Sequence, residues 1–428
     1  MDASPQGQPW PHLVPILFAG AFVVFMFGVP LGLPRVESAF PLASALSLDS
    51  AGLDQAATPT LLWIRLLAYL PLGDLGFRGN LASGLLSALA VAWVARLCVD
   101  LLVPLRPARE ARHQSRDFLH EPIAGIGAAF AAGMAIASFE SATSLGLASA
   151  TLLLVVAGWR CVLVLLIGPG SVPHALGLTA LCGLSSSVHP IAGPILWPSF
   201  LWLAFWALRR GQRWPLLAPL VFLTAFSVGG LSTLAASSAP MTFARWFASY
   251  APPAAYGVDH LPRVAFQLAE QLGVIGGILA IMGMGLFLSR NLPLGLWILL
   301  SLVTAVLFCP AHAVGTVETA RIALSLSLLL SALGIAGGIH HLAMRMGRAK
   351  SAAAFALAVI CVVSPAVDGG SARWLPRASL PMRLLDQGLD KVSPRFRVDP
   401  GSVEMAGLFR LAKTMGLRPD LEFTLPLK

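Results

Sequence analysis

The chain has few charged residues for its length. Only 11% of its 428 residues are charged, whereas an average soluble domain carries about 25%. A soluble protein needs polar side chains over its surface, so this composition excludes a soluble enzyme, a nucleic-acid-binding module and a disordered chain. The hydrophobic share is 57% and the mean hydropathy is +0.78. Both values are typical of a polytopic α-helical membrane protein.

Several motifs of common enzymes are also missing. The sequence contains no GxxxxGK[ST] loop, no GxSxG turn and no HExxH helix, so we expect neither ATP-driven pumping nor serine or zinc hydrolysis. The five cysteines are scattered and form no CxxC pair, which is typical of small apolar side chains in helices. His340 and His341 are adjacent and would lie on different faces of a helix, so we predict no metal site.

Long apolar runs predict about eleven transmembrane helices, since a helix needs about 20 residues to cross a bilayer. A further apolar stretch over 60–70 is too short to span and contains Arg65; it predicts a helix lying along the membrane surface. Gly276-Gly277 and Gly337-Gly338 predict points of close helix packing. The predicted spans cover residues near 12–33, 79–104, 122–139, 142–167, 174–188, 190–208, 215–236, 263–288, 293–309, 317–340 and 351–367.

The excess of basic residues, 29 against 20 acidic, predicts the orientation of the chain. Twelve of the basic residues fall at one set of alternating span ends and six at the other, and cytoplasmic loops are the Arg-rich ones. The N-terminus is therefore predicted to be cytoplasmic and the C-terminus periplasmic. The twelve are Arg106, Arg109, Arg112, Arg116, Arg160, Arg209, Arg210, Arg213, Arg290, Arg345, Arg348 and Lys350.

This topology predicts two domains. Residues 1–367 form the transmembrane domain, with a first outer loop over 34–78 and a second over about 237–262. Residues 368–428 form a small outer domain. A composition rich in Arg and Ala indicates a bacterium, and hence its inner membrane. We expect the chain to interact with the lipid bilayer and not with nucleic acid.

Polar residues near spans need a partner, water or a function, and most of them fall on the predicted outer side. Glu140 lies in a very short predicted turn between two apolar helices, and His189 follows three serines at the junction of two spans. Each is either a hydrated group or part of an outer cavity. Tyr250, Tyr256 and His260 lie in the second outer loop and are candidates for the same cavity.

Short motifs in the same order resemble a widespread family of multi-pass proteins. That family includes a eukaryotic transmembrane protein O-mannosyltransferase, and its members look like GT-C glycosyltransferases. The resemblance covers most of the chain. It is carried by Leu70-Pro71-Leu72-Gly73-Asp74-Leu75-Gly76-Phe77-Arg78-Gly79-Asn80-Leu81-Ala82-Ser83, Phe139-Glu140-Ser141, Gly183-Leu184-Ser185-Ser186-Ser187-Val188-His189-Pro190, Ala248-Ser249-Tyr250, Tyr256-Gly257, Leu384-Leu385-Asp386 and Gly416-Leu417-Arg418-Pro419-Asp420.

The resemblance implies a polyprenyl-phosphate-linked sugar as donor and a protein or glycan as acceptor; it leaves the need for a divalent metal unknown. A carboxylate takes the proton of the acceptor hydroxyl, and Glu37 is the expected residue. Asp49 or Asp54 would substitute for the Asp of the family's Asp-Ser-Gly-Glu stretch, which here reads Pro34-Arg35-Val36-Glu37. Arg321, or else Arg263, would hold the lipid phosphate. Arg321 follows Glu318 by three residues, so an ion pair between these two is the alternative.

Two other functions stay open at this point. The absent Asp, together with a His-Pro-x-Gly-Tyr-Pro stretch that is reduced here to Ala56-Ala57-Thr58-Pro59, is consistent with a catalytically degenerate member acting as a binding or complex subunit. A transporter or flippase of lipid-linked sugars would instead need charged residues paired across helices at mid-membrane depth.

Overall fold

The computed structural model shows a bundle of α-helices. It describes residues 12–29, 58–72, 75–105, 119–143, 148–167, 171–189, 192–230, 261–307, 317–369, 395–397 and 422–424. Within these ranges there are thirteen α-helices and two short strands. The helices are α1 Leu13–Gly28, α2 Thr58–Ala68, α3 Leu75–Leu102, α4 His120–Met134, α5 Ile136–Thr143, α6 Ala148–Ile167, α7 Val172–Val188, α8 Ala192–Arg209, α9 Trp214–Gly230, α10 Leu261–Arg290, α11 Leu292–Leu307, α12 Val317–Arg345 and α13 Lys350–Gly369.

The polytopic helical architecture predicted from hydropathy is confirmed, because each of the eleven predicted spans contains a described helix. In the described part of the chain, α3, α6, α10 and α12 are long and apolar enough to cross a membrane, and the bent pair α4 and α5 can count as a fifth span. Five shorter apolar helices, α1, α7, α9, α11 and α13, accompany them. The sidedness inferred from the arginines stays a prediction.

Helix α12 occupies the centre of the bundle. Every described side chain from Ile322 to His340 is buried, and the helix packs against α3, α4, α5, α10, α11 and α13. A helix surrounded by other helices need not present an apolar side to lipid. Its row of Ser325, Ser327 and Ser331 is therefore tolerated, and the last two hydroxyls donate to backbone carbonyls four residues earlier.

Glycines allow α10 and α12 to approach each other at backbone distance. A Cβ added at Gly334 would lie 2.6 Å from the carbonyl oxygen of Ala280, and one at Gly337 would lie 2.8 Å from the ring of Phe287. This crossing confirms the close packing predicted at Gly337-Gly338. The same prediction is wrong for Gly277, where an added Cβ would meet no atom of the described residues within 4 Å.

Helix α2 confirms that the short apolar stretch with Arg65 is helical. It is held to the bundle by the Trp63 indole, whose Nε1 donates to the carbonyl of Ala82 on α3 over 3.2 Å. Leu62 and Leu66 are exposed on the helix, as expected for a helix at a membrane surface. That location remains a prediction.

The two strands lie in the predicted C-terminal domain. β1 (Arg395–Arg397) and β2 (Glu422–Thr424) pair in parallel, with Phe396 opposite Phe423. The rest of residues 370–428 lies outside the described residues, so the domain over 368–428 stays a prediction.

Candidate functional site

The third predicted span is broken before it reaches its end. Helix α4 ends at Met134, and α5 restarts at Ile136 with its axis turned by 75°. Glu140, predicted in a turn, lies instead on the short helix α5. A break of this kind releases backbone donors and acceptors from the helical ladder, and inside a membrane protein each of them needs a new partner.

A side chain from α10 satisfies one of the released groups. The backbone N–H of Ala137 donates to Oε1 of Gln271 over 3.0 Å. Two residues later α10 is itself interrupted, because Gly273 has φ 67° and ψ 165°, a conformation open to glycine but not to residues with a Cβ. Two interrupted helices therefore meet at one place, which we call the break region and define by Ala135, Ala137, Gln271 and Gly273.

Buried hydroxyl groups surround the break region. Ser141 on α5 donates to the carbonyl of Ala137 over 2.8 Å, and its Oγ lies 3.3 Å from Oγ of Ser325 on α12. The Oγ of Ser138 is buried, and no described residue offers it a hydrogen-bond partner. The same is true of Ser87 on α3. A buried hydroxyl without a partner costs about 1–3 kcal/mol unless a ligand or water satisfies it.

The position of Ser87 follows from two glycine contacts on either side of it. An added Cβ at Gly84 would touch the carbonyl of Ala142 on α5, and one at Gly133 on α4 would touch Val91. Positions 84, 87 and 91 share one face of α3. The Ser87 position therefore faces the junction of α4 and α5.

Glu140 is half-buried on α5, directly before Ser141 in the chain. It follows Ala137, whose backbone N–H reaches Gln271 of α10, by three residues, so it lies about one helical turn beyond the break. Its neighbour Phe139 packs on α1, with its ring centroid 5.9 Å from that of Phe25. The short helix thus presents an aromatic anchor to α1 and a carboxylate near the break region.

His189 is buried directly after the end of α7. Burial lowers the pKa of its imidazole well below the ordinary value, so the ring is uncharged near neutral pH and suited to hydrogen bonding. The preceding serines have structural roles: Ser186 donates to the carbonyl of Cys182 over 2.6 Å, and Ser187 to that of Leu184 over 2.8 Å. Helix α7 packs mainly on α6, α8 and α9, whereas α5 packs on α1, α3 and α12.

The remaining predicted site residues cannot be placed in the same way. Arg263 and Arg321 lie near the starts of α10 and α12, but their side chains are outside the described set. Their role in binding a lipid phosphate therefore stays a prediction, as do the roles of the loop residues. Those outside the described residues altogether are Glu37, Asp49, Asp54, Tyr250, Tyr256 and His260.

The opposite end of the bundle carries ionisable groups that the sequence reasoning did not single out. This end is where α3 and α12 finish and α4 begins, and we call it the inner end after the orientation predicted from the arginines. Asp100 on α3 pairs with Arg96 one turn earlier, with 3.1 Å between Nε and Oδ1, and with Arg160 on α6. Arg160, counted above as a topology signal, thus lies inside a helix and joins two helices.

A second inner-end group combines two histidines and a carboxylate. His120 and Glu121 begin α4, and His340 lies near the end of α12. All three are buried, and one ligand atom from each lies within 4.8 Å of the others. The adjacent His120 and Glu121 are metal-ligand residue types that the sequence shows side by side. The third member, His340, is 220 residues further along the chain than His120.

Comparison with known proteins gives one structural likeness. No protein-family model matches the chain, and no curated protein matches it. The chain is similar to the crystal structure of ArnT from Cupriavidus metallidurans bound to undecaprenyl phosphate, with 14% sequence identity and a TM-score of 0.46. The match covers 96% of this chain and 78% of that one. Likeness at this level assigns no family, so the GT-C architecture stays an expectation from the sequence resemblance.

Proposed function

We propose that this chain is a membrane glycosyltransferase that moves a sugar from a polyprenyl-phosphate-linked donor to an acceptor hydroxyl on the outer face. The observation that carries the proposal is the break region, where two interrupted helices meet beside the half-buried Glu140. Interrupted helices in membrane proteins accompany binding sites, because non-helical backbone is tolerated there only inside protein or beside a cavity. The sequence resemblance supplies the reaction class.

The reaction sets three requirements. The bond from C1 of the sugar to the phosphate oxygen breaks, and polyprenyl phosphate leaves. A new bond forms between C1 and the acceptor oxygen, whose proton passes to a carboxylate. Cationic or hydrogen-bonding groups stabilise the departing phosphate. The lipid tail of the donor stays in the bilayer, so the site must open towards lipid.

We assign these roles to the outer-side residues. Glu37 takes the proton or positions the acceptor, with Asp49 and Asp54 as the alternative carboxylates. Arg321, or else Arg263, holds the lipid phosphate. The cavity is completed by Glu140, His189, Tyr250, Tyr256 and His260.

The described hydroxyls support a sugar-binding function for the break region. Ser138 and Ser87 are buried polar groups without a described hydrogen-bond partner, and sugar hydroxyls are matched to such groups because each can donate and accept. Glu140 is then suited to position a sugar or acceptor hydroxyl by a charge-assisted hydrogen bond.

The test uses the purified full-length chain in lipid nanodiscs with radiolabelled polyprenyl-phosphate sugars. Release of polyprenyl phosphate and transfer to a hydroxyl acceptor are measured together. We expect Glu140→Gln to lower the transfer rate by about 100-fold, the lower end of the range for general acid–base catalysis by a positioned side chain. Glu270→Gln is the matched control, because Glu270 is an exposed carboxylate on α10 and its loss should leave the rate unchanged.

Each outcome separates the hypotheses. A folded Glu140→Gln protein that works at the wild-type rate would remove Glu140 from the site. Binding of the donor by the wild type without release of polyprenyl phosphate would support the degenerate binding subunit instead.

Lipid-linked sugar transport is the second candidate, and one observation favours it. The Asp100–Arg160 pair joins α3 to α6, and charged pairs across helices are found in transporters. The pair lies close to the inner end, since Asp100 is two residues before the end of α3, rather than at mid-membrane depth. Transport is tested in proteoliposomes, because a nanodisc does not enclose a second compartment. Exchange of the labelled donor across the proteoliposome membrane, without release of polyprenyl phosphate, would establish transport.

A further inference from the structure

We propose that His120, Glu121 and His340 bind a divalent transition-metal ion of the zinc class, which ties the start of α4 to the end of α12. The proposal concerns the inner end of the bundle and does not rest on the proposed glycosyl transfer. It also reverses the expectation from sequence that His340 has no part in a metal site.

The ligand set is the first argument. Two imidazoles and one carboxylate form the protein part of many three-ligand zinc and iron sites. Calcium and magnesium prefer oxygen ligands, so a set with two nitrogens favours zinc, cobalt, iron or nickel.

The geometry is the second argument. One ligand atom of each residue lies within 4.8 Å of the others. Two ligands of the same tetrahedral zinc ion are roughly 3.4 Å apart, given metal–ligand bonds of about 2.0–2.2 Å. Because 4.8 Å is the upper limit of the separations, the ligand atoms must approach one another by about 1.4 Å or less. The rings of His120 and His340 are stacked, with centroids 5.2 Å apart and planes inclined by 19°, so one ring must turn before a nitrogen of each can point at the same ion.

The rigidity of the surrounding helices is the third argument. His120 is 1% exposed, Glu121 1% and His340 4%, so all three are removed from bulk water. Helix α4 is locked to α3 through Gly125, where an added Cβ would lie 2.8 Å from Val99, and it also packs closely on α13 through Gly127. A site built on packed helices holds its ligands in place better than a site on loops.

A metal at this position would join segments that are distant in the sequence. His120 and Glu121 are the first two residues of α4, whereas His340 lies one turn after the glycines that bring α12 against α10. The ion would therefore fix the central helix at its inner end, far from the break region at the other end of α4. Its expected role is structural.

The first experiment measures metal content in the full-length wild-type chain, purified in detergent from zinc-supplemented cells. We expect about one zinc per chain. After chelation, Co²⁺ should restore full occupancy and produce the visible d–d absorption of a low-symmetry site. X-ray absorption of the cobalt form should show scattering from two imidazoles. Absence of bound zinc together with absence of the cobalt band would overturn the proposal.

The second experiment compares variants at adjacent positions. His340→Asn and Glu121→Gln should each lower cobalt affinity by about 100-fold, whereas His341→Asn should bind as the wild type does. His341 is the matched control because it is the next residue on the same helix and is only half-buried. Equal loss in His341→Asn, or full binding by folded His340→Asn, would overturn the proposal. If His340→Asn does not fold, X-ray absorption of the wild-type cobalt form decides, because fewer than two imidazoles on the metal would overturn the proposal.

Discussion

The two ends of the bundle satisfy their polar groups in different ways. At the break region the partners are neutral: a backbone N–H, the amide of Gln271 and the hydroxyls of Ser141 and Ser325. At the inner end the partners are ionisable, as in Asp100 between Arg96 and Arg160. Neutral groups can exchange one hydrogen bond for another at small cost, whereas a buried charge requires its counterpart. The first end is suited to binding a ligand and the second to holding helices together.

The largest effect is expected from a substitution that separates α10 from α12 and so disturbs both ends. In Gly334→Val the new Cβ would lie 2.6 Å from the carbonyl oxygen of Ala280, and a backbone atom cannot move aside as a side chain can. We expect a loss of about 3 kcal/mol or more in the free energy of unfolding, measured by denaturation in mixed micelles.

The matched control for that substitution is Gly277→Ala on α10. An added Cβ there meets nothing within 4 Å in the part of the chain that the structure describes, so the change should leave stability unchanged or raise it by up to about 1 kcal/mol. Equal destabilisation by both variants would show that the α10–α12 crossing is not the tight contact described above.

An intermediate effect is expected at the inner end. Asp100→Asn leaves Arg96 and Arg160 close together without the carboxylate between them. Breaking a fully buried pair costs roughly 3–5 kcal/mol. We expect about 2 kcal/mol here because the Asp100 side chain keeps 19% exposure.

A double-mutant cycle with Arg160→Gln sharpens the comparison between the two ends. The double variant should be more stable than Asp100→Asn alone, because the excess positive charge has been removed. Strict additivity of the two changes would contradict a direct Asp100–Arg160 interaction.

The smallest effect is expected at the break region. Gln271→Leu removes the acceptor for the Ala137 N–H, and a neutral donor without a partner costs about 1–2 kcal/mol. Unfolding in micelles measures the change, and Gln267→Leu, one turn earlier on α10, is the control. If Gln271→Leu destabilised the protein more than Asp100→Asn, the neutral partners at the break region would be no easier to replace than the charged partners at the inner end, and the comparison would be wrong.

The helices were predictable from the sequence because the bilayer requires long apolar runs, and each run predicted a helix at nearly the right place. The break between α4 and α5 was not. Residues 134–137 are all apolar, and what stabilises the break is Gln271, which is 134 residues later in the chain. Hydropathy describes one segment at a time, so it cannot anticipate a partner on another helix.

The same limit explains why the sequence did not predict the cluster of His120, Glu121 and His340. His340 and His341 lie on different faces of α12, as their adjacency predicts, since His340 is buried and His341 half-buried. Adjacency could not indicate His120 and Glu121, whose approach depends on how α4 packs against α12. By contrast, Gly337-Gly338 was predictable as a contact because small residues serve this purpose on any helix.

The central position of α12 has a consequence for the order in which the protein assembles. This helix follows α1 to α11 in the chain, yet α3, α4, α5, α10 and α11 all pack against it. During synthesis those helices enter the membrane before the element that joins them exists. Until residues 317–345 are synthesised, the surfaces of these helices that will pack on α12, including the face with Ser141, contact lipid or other helices instead. Assembly of the bundle is therefore completed late, by one of its last helices.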